Sequence, residues 1–257
     1  MTTVTDAQPS VSALRASHDR LSGIVAGLDS DGLRAQSYDT EWSIADVLSH
    51  LGSGAEIFLL TVNAAVAGEA PPGRETFQAI WDTWNAKAPE DQAVDSITAN
   101  QALVSRIESL SPAERESFSV TMFGPRPMDL AGVLNMRLGE HAIHTWDVAV
   151  AINSGARIAP DAVALLVDTT VLMAGYFGKK AADPVVIAVT TTEPERAFTV
   201  DTGGVSVAPG AADGATASLE LPAEVFLRLL TGRVDDDSEL TASGVTLPEL
   251  REVFPGF

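Results

Sequence analysis

No cysteine occurs among the 257 residues. Disulfides and thiolate metal ligands are therefore excluded, and the chain supplies no thiol nucleophile of its own. Basic residues are scarce, with 16 lysines and arginines against 35 aspartates and glutamates, for a net charge of −19. Such a balance argues against a broad nucleic-acid or anionic-membrane surface. Residues Met1–Asp6 lack a basic segment followed by an apolar one, so no signal peptide is expected. No apolar run is read as approaching the ~18 residues of a membrane span. The expectation is a cytoplasmic protein, monomer or homodimer, whose partners are small molecules and not nucleic acid or membrane.

What is present suits a globular fold: 46% hydrophobic and 20% charged residues. Residues 9–28 carry Val11, Leu14, Leu21, Ile24, Val25 and Leu28 on one helical face, with His18 among them. A second helix is expected from Ser43 to about Ala67, Ser43 capping it and Asp46 completing a capping-box pattern. Trp42 and Val47 sit where a hydrophobic staple would form. His50 lies on the flank of this helix, beside open space left by Gly54. After Pro71-Pro72-Gly73, a third helical region in two pieces is expected, the first bearing Trp81 and Trp84. Ser111-Pro112 and Gly124-Pro125-Arg126-Pro127 punctuate the loop before a fourth helix capped by Asp129. These segments predict a four-helix bundle over 8–153. Beyond it the pattern shifts to a helix from Pro160 to about Phe177, then short β-type runs at 185–191, 197–201, 205–208, 215–221 and 239–242. Helices are expected at 223–231 and 247–253. The fold class is α+β, residues 154–257 forming a small domain with a mainly antiparallel sheet and helices on one side.

The richest stretch lies between Leu130 and Ile152, an apolar segment with no proline and two glycines. Arg137, Glu140, His144 and Asp147 share one stripe of the predicted helix. Its other faces are apolar, so the stripe is expected to meet partners inside the protein. Glu140 and His144, four apart, form a two-ligand corner, and His50 across the bundle offers a third donor. Two histidines and a carboxylate leave a coordination position open, as in catalytic zinc sites, and iron, nickel or manganese accept the same donors. Two other readings stand beside this one: a solvated Glu140–His144 pair, and a buried Arg137–Glu140 ion pair without metal. His141 points about 100° from Glu140 around the helix and is the weaker ligand candidate. Asp147 is placed to accept from an imidazole N–H, and Asp46, one turn before His50, fits the same role.

The run Trp42-Ser43-Ile44-Ala45-Asp46-Val47-Leu48-Ser49-His50-Leu51 resembles the first signature of the mycothiol-dependent maleylpyruvate isomerase family, within the wider DinB-like helix-bundle superfamily. Arg137, Glu140, His144, Trp146 and Asp147 are similar to its second motif. The resemblance implies a divalent metal, usually zinc, on His50, Glu140 and His144, and mycothiol as cofactor. It also implies a second domain similar to sterol-carrier proteins, in which the segment from Leu227 to Arg233 resembles a helix ending in Gly-Arg. Asp39-Thr40-Glu41 stands where family members often have Pro-Gly before the tryptophan. The implied chemistry is thiol addition to an electrophilic double bond or carbon, giving cis–trans isomerisation of a maleylpyruvate-like substrate or S-transfer. Arg137 and Arg233 are the candidate cations for an anionic substrate, with Asp147 as the third catalytic candidate. A metal-dependent hydrolase using Asp147 or His141 as base, and a non-catalytic small-molecule or lipid carrier, are the alternatives.

Overall fold

Helical periodicity dominates up to Ile152, and local stop and start signals set the element ends. The computed structural model describes residues 6–122, 127–171 and 174–256. The stretches 1–5 and 124–126, together with 172–173 of the helix expected through Phe177, lie outside these. Contacts divide the chain into two compact units, Met1–Arg157 and Ile158–Phe257.

In the first unit, helix α1 spans Gln8–Val25 and α2 spans Ser30–Arg34. Helix α3 covers Ile44–Ala67, α4 covers Arg74–Asn85 and α5 covers Pro89–Glu108. Helix α6, Pro112–Ser117, precedes α7, Leu130–Ile152. The long helices form a closed ring of neighbours, α1 against α5, α5 against α3, α3 against α7 and α7 against α1, which is a four-helix bundle. Helix α4 packs on α3 outside that ring. Leu21, Ile44, Val47, Leu48, Leu51 and Val148 form the bundle's core, with Trp42 packed at its edge.

Three local outcomes differ from the pattern reading. Helix α1 stops at Val25, because Gly27 and Leu28 donate to the carbonyls three residues back and tighten the chain. Helices α2 and α6 were not expected. Asp29 caps α2 by accepting from Gly32 N, and a full Ser111–Glu114 capping box starts α6, so the Ser111-Pro112 pair opens a helix as well as closing a loop. Helix α3 is also long and apolar enough, by length and composition, to cross a membrane, although no such run was expected. Half of that apolar window is buried inside the fold, as befits a bundle helix whose apolar face turns inward.

In the second unit, α8 is Pro160–Thr170 and α9 is Ala174–Phe177. Strands β1 (Val186–Thr192), β2 (Arg196–Asp201), β3 (Ser206–Pro209), β4 (Ala217–Pro222) and β5 (Thr241–Ser243) form one sheet of order β3-β2-β1-β4-β5. Helix α10, Ala223–Leu230, follows β4, and α11, Leu247–Val253, closes the chain. The sheet is mainly antiparallel, but β1 and β4 pair in parallel, Val189 opposite Leu219. The chain reaches β4 only after completing β2 and β3, and so returns running in the direction of β1. Helix α10 packs on α8, and Phe226 on it stacks against Phe198 of β2 with ring centroids 5.2 Å apart. Its end is a Schellman motif: Gly232 N donates to Leu229 O and Arg233 N to Arg228 O. Gly232 has φ +74°, and a Cβ there would run into the backbone of Gly256, so the position is restricted to glycine.

Candidate metal centre

Helix α3 delivers His50 and helix α7 delivers Glu140 and His144, one turn apart. Each helix is anchored near its start, α3 by the Ser43–Asp46 capping box and α7 by Asp129 accepting from Gly132 N at 2.8 Å. One donor atom from each of the three residues lies within 4.8 Å of the other two. His50 Nε2 donates to Glu140 Oε2 at 3.1 Å, and His144 Nε2 lies 3.8 Å from the same oxygen. Ligands on a tetrahedral zinc at about 2.1 Å stand ~3.4 Å apart, so this set needs little movement to hold a cation in place of the His50 proton.

The ligands are not equally sheltered. The His144 side chain is 4% exposed, whereas those of His50 and Glu140 are 34% and 42% exposed. The stripe on α7 therefore does not bury its carboxylate as expected: Glu140 sits at an open rim, with His144 behind it. What burial there is raises the Glu140 pKa, but the hydrogen bond from His50 and the charges of His144, His50 and Arg137 prevail and hold it at about 2. Glu140 is a carboxylate at neutral pH, as a ligand must be.

His144 is oriented from behind. Its Nδ1 donates to Asp147 Oδ2 at 2.8 Å, and Asp147 is fully buried. With Nδ1 protonated, Nε2 carries the lone pair and faces Glu140. Asp46 is spent on the Ser43 cap. His141, also fully buried, faces the other way, its Nδ1 within 2.8 Å of Ser17 Oγ on α1 and 3.3 Å of Thr145 Oγ1. Burial, reinforced by the nearby Arg137 charge, pushes its pKa well below the ordinary imidazole value.

Trp42, expected as a helix staple, has a second position that its spacing did not reveal. Its ring lies 5.3 Å from that of His50 and 6.1 Å from that of His144, walling one side of the donor set. Ser37 Oγ and Gln36 Nε2 both donate to Trp42 O at 2.7 Å, and Tyr38 N donates to Asp147 O, so the loop holding the indole is tied to α7. The Asp39 carbonyl accepts from Trp42 N at 3.1 Å, closing the turn where Pro-Gly was the anticipated sequence. The position of Trp42 at the head of the signature was the available signal. Asn100 and Gly54 were likewise not singled out as functional, yet both touch Arg137.

Arg137, expected to face an anionic substrate or Glu140, is 1% exposed and directs Nη2 to Leu51 O at 2.8 Å and Asn100 Oδ1 at 2.7 Å. Burial pushes its pKa down to about 10, against the opposing pull of Glu140, so it stays charged at neutral pH. Arg233, the other expected cation, belongs to the second unit, where it is 4% exposed and Nη1 donates to Thr231 O at 2.8 Å.

A four-helix bundle presenting two histidines and a glutamate at an open rim, followed by a small α+β unit, defines a helix-bundle protein with the donor set of a metal enzyme. The sequence matches the model of the mycothiol maleylpyruvate isomerase N-terminal domain over residues 14–149, and the chain belongs to that family. Among solved structures, it is similar to a mycothiol-dependent maleylpyruvate isomerase, with 17% identity and a TM-score of 0.71 over 97% of this chain and 98% of that one. A histidine-to-alanine mutant of such an isomerase matches over the same shares with a TM-score of 0.70 and 17% identity. Both likenesses show the shared fold across the two units. Comparison with proteins of curated function gives no match.

Proposed function

We propose that the chain is a divalent-metal-dependent enzyme that uses mycothiol, either to isomerise a maleylpyruvate-like cis alkene or for S-transfer to an electrophile, the thiol adduct then being the product. One observation carries this reading: His50, Glu140 and His144 converge within 4.8 Å in a chain of this family. His50 and His144 would each offer an imidazole nitrogen and Glu140 a carboxylate oxygen, leaving a position open, with zinc the preferred ion. When bound, the metal supplies the Lewis acidity that favours thiolate over a cofactor thiol of ordinary pKa, about 8.5.

The remaining work belongs to the chain itself. Asp147 keeps His144 in the tautomer that presents Nε2. Trp42 excludes water from one side of the donor set. The exposed edges of His50 and Glu140 leave an approach for cofactor and substrate. Residues 154–257 are read as the sterol-carrier-like domain. With no cysteine in the sequence, the nucleophile arrives with the cofactor. We place the enzyme in the cytoplasm, as a monomer or homodimer.

The alternatives fare less well on specific grounds. A hydrolase would call on Asp147 or His141 as base, and both are fully buried, with Asp147 engaged by His144 and His141 turned toward Ser17. One cavity in the second unit, among Asp183, Val185, Glu249, Glu252 and Val253, measures about 190 Å³, below the roughly 300 Å³ at which ligand sites begin, and has three carboxylates in its lining. The test is elemental analysis joined to a mycothiol-dependent assay with maleylpyruvate and a panel of electrophiles. About one divalent ion per chain, lost in His50→Ala together with activity, is expected. Metal content unchanged in His50→Ala, or turnover indifferent to mycothiol, overturns the reading.

A further inference from the structure

Among the described residues, Arg137 is a buried cation that makes no carboxylate contact. Its guanidinium lies beside the Phe58 ring, 5.6 Å from the centroid, and among the same residues its Nε has no hydrogen-bond partner. An apolar side chain there would leave the buried Asn100 Oδ1 without the donor it has from Nη2, so the guanidinium serves the contacts between helices as well as filling space. Its contacts indicate what it does. The Leu51 carbonyl, which follows His50 directly in α3, accepts from Arg137 Nη2 at 2.8 Å and from Asn100 Nδ2 of α5 at 3.4 Å. Asn100 Oδ1 accepts from the same Nη2 at 2.7 Å, and Asn100 Nδ2 also donates to Ser96 O at 2.8 Å. Three helices meet in one closed set of hydrogen bonds, one residue from His50 and one turn from Glu140. The seat is shaped for it: a Cβ on Gly54 would lie 2.8 Å from Arg137 Nη1.

We propose that Arg137, seated against Gly54 and Asn100, is a positioning residue that locks α3 to α7 and so sets the separation of His50 from Glu140 and His144. The inference rests on the metal site proposed above and assigns Arg137 to ligand geometry in place of substrate contact. Charge and position act in opposite directions here, which makes the role measurable. A fixed cation one turn from Glu140 repels a metal ion, so loss of charge alone would tighten binding, whereas loss of the clamp weakens it.

The experiment compares Arg137→Met, Arg137→Lys and Gly54→Ala with the parent chain, by zinc competition against a chromophoric chelator and by thermal melting of the chelated proteins. Arg137→Met is expected to melt lower than the parent but remain folded, and to bind zinc at least tenfold more weakly, the scale seen when groups behind metal ligands are removed. Arg137→Lys recovers part of the affinity, and Gly54→Ala loses affinity with every ligand intact. Parent-like or tighter zinc binding by Arg137→Met overturns the proposal. If that variant does not fold, Gly54→Ala is judged by the same criterion. A crystal structure of chelated Gly54→Ala supplies a readout independent of metal: the His50 Nε2 to Glu140 Oε2 contact, 3.1 Å in the parent, is expected to open. A contact left unchanged there refutes the clamp. A parent chain that takes up no metal refutes the proposed function instead, and that structure still decides the clamp.

Discussion

At the scale of single residues, the geometry of the candidate site rests on groups behind the three donors as well as on the donors. Asp147 accepts from His144 Nδ1, and an asparagine there could equally turn its amide N–H toward the ring and favour the wrong tautomer. Asp147→Asn is expected to weaken zinc binding by roughly 10–100-fold with little change in fold, which competition titration with circular dichroism checks; undiminished affinity would remove Asp147 from the site. His18 carries a different prediction. Burial first, and then the Arg15 charge, lower its pKa from the ordinary 6.5. The folded state therefore keeps His18 neutral while the unfolded chain takes up a proton below pH 6.5, so stability present above that pH declines as acid is added. In chelator, the urea midpoint is expected to fall between pH 7.5 and 5.5, and less steeply in His18→Asn. Parallel slopes for parent and variant would show that His18 does not contribute. Both the Glu140–His144 spacing and the turn of His141 away from Glu140 were legible in the sequence, since angle around a helix follows from residue number alone. The burial of Glu140 was misjudged, because an apolar helix can still bring one turn to the rim where its neighbours end.

At the scale of elements, two glycines of α3 show how one helix serves several neighbours. Gly54 gives room to Arg137 of α7, and Gly52 lies flat against Trp84 of α4. A Cβ on Gly52 would enter the indole, whose Nε1 donates to Glu56 Oε2 at 2.8 Å. Gly52→Ala is therefore expected to cost about 1–3 kcal/mol through overpacking, read as a lower urea midpoint with loss of the native Trp84 fluorescence environment. A stability equal to the parent's would mean that α4 shifts on α3 at no cost. The start of α3 was readable from Ser43 and Asp46, because a capping box is a contact between residues three apart. The start of α6 carried the same signal at Ser111 and Glu114. The parallel pairing of β1 with β4 had no comparable local mark. Strand direction depends on how the chain returns, and alternation looks the same in either direction.

At the scale of the whole molecule, the bundle holds the three candidate donors on two helices far apart in sequence, so a metal ion bound there would tie α3 to α7 and add to the stability of the first unit. At a free ion concentration a hundred times Kd the gain is about 2.7 kcal/mol. Chelation is therefore expected to lower the melting temperature and zinc to restore it, with the shift abolished in His50→Ala; melting indifferent to chelator would argue that no metal binds the folded state. By itself the sequence determined the long helices and the strands, the α+β class, the absence of an endogenous thiol and the three donors on two helices. Each of these follows from composition or from periodicities of 2 and 3.6 residues, which are local. Only the tertiary structure decided that Arg137 turns inward to Leu51 and Asn100, that Trp42 covers the histidines, and that Glu140 opens to solvent while His144 does not. Spacing along a helix fixes which residues share a face. Which neighbour that face meets, and how far the neighbour extends, depends on the packing of helices joined by loops whose lengths leave the choice open. The stripe from Arg137 to Asp147 is one feature in the sequence, and packing against α1, α3 and α5 divides it into a buried arginine, two candidate metal donors and an acid bonded to one of them.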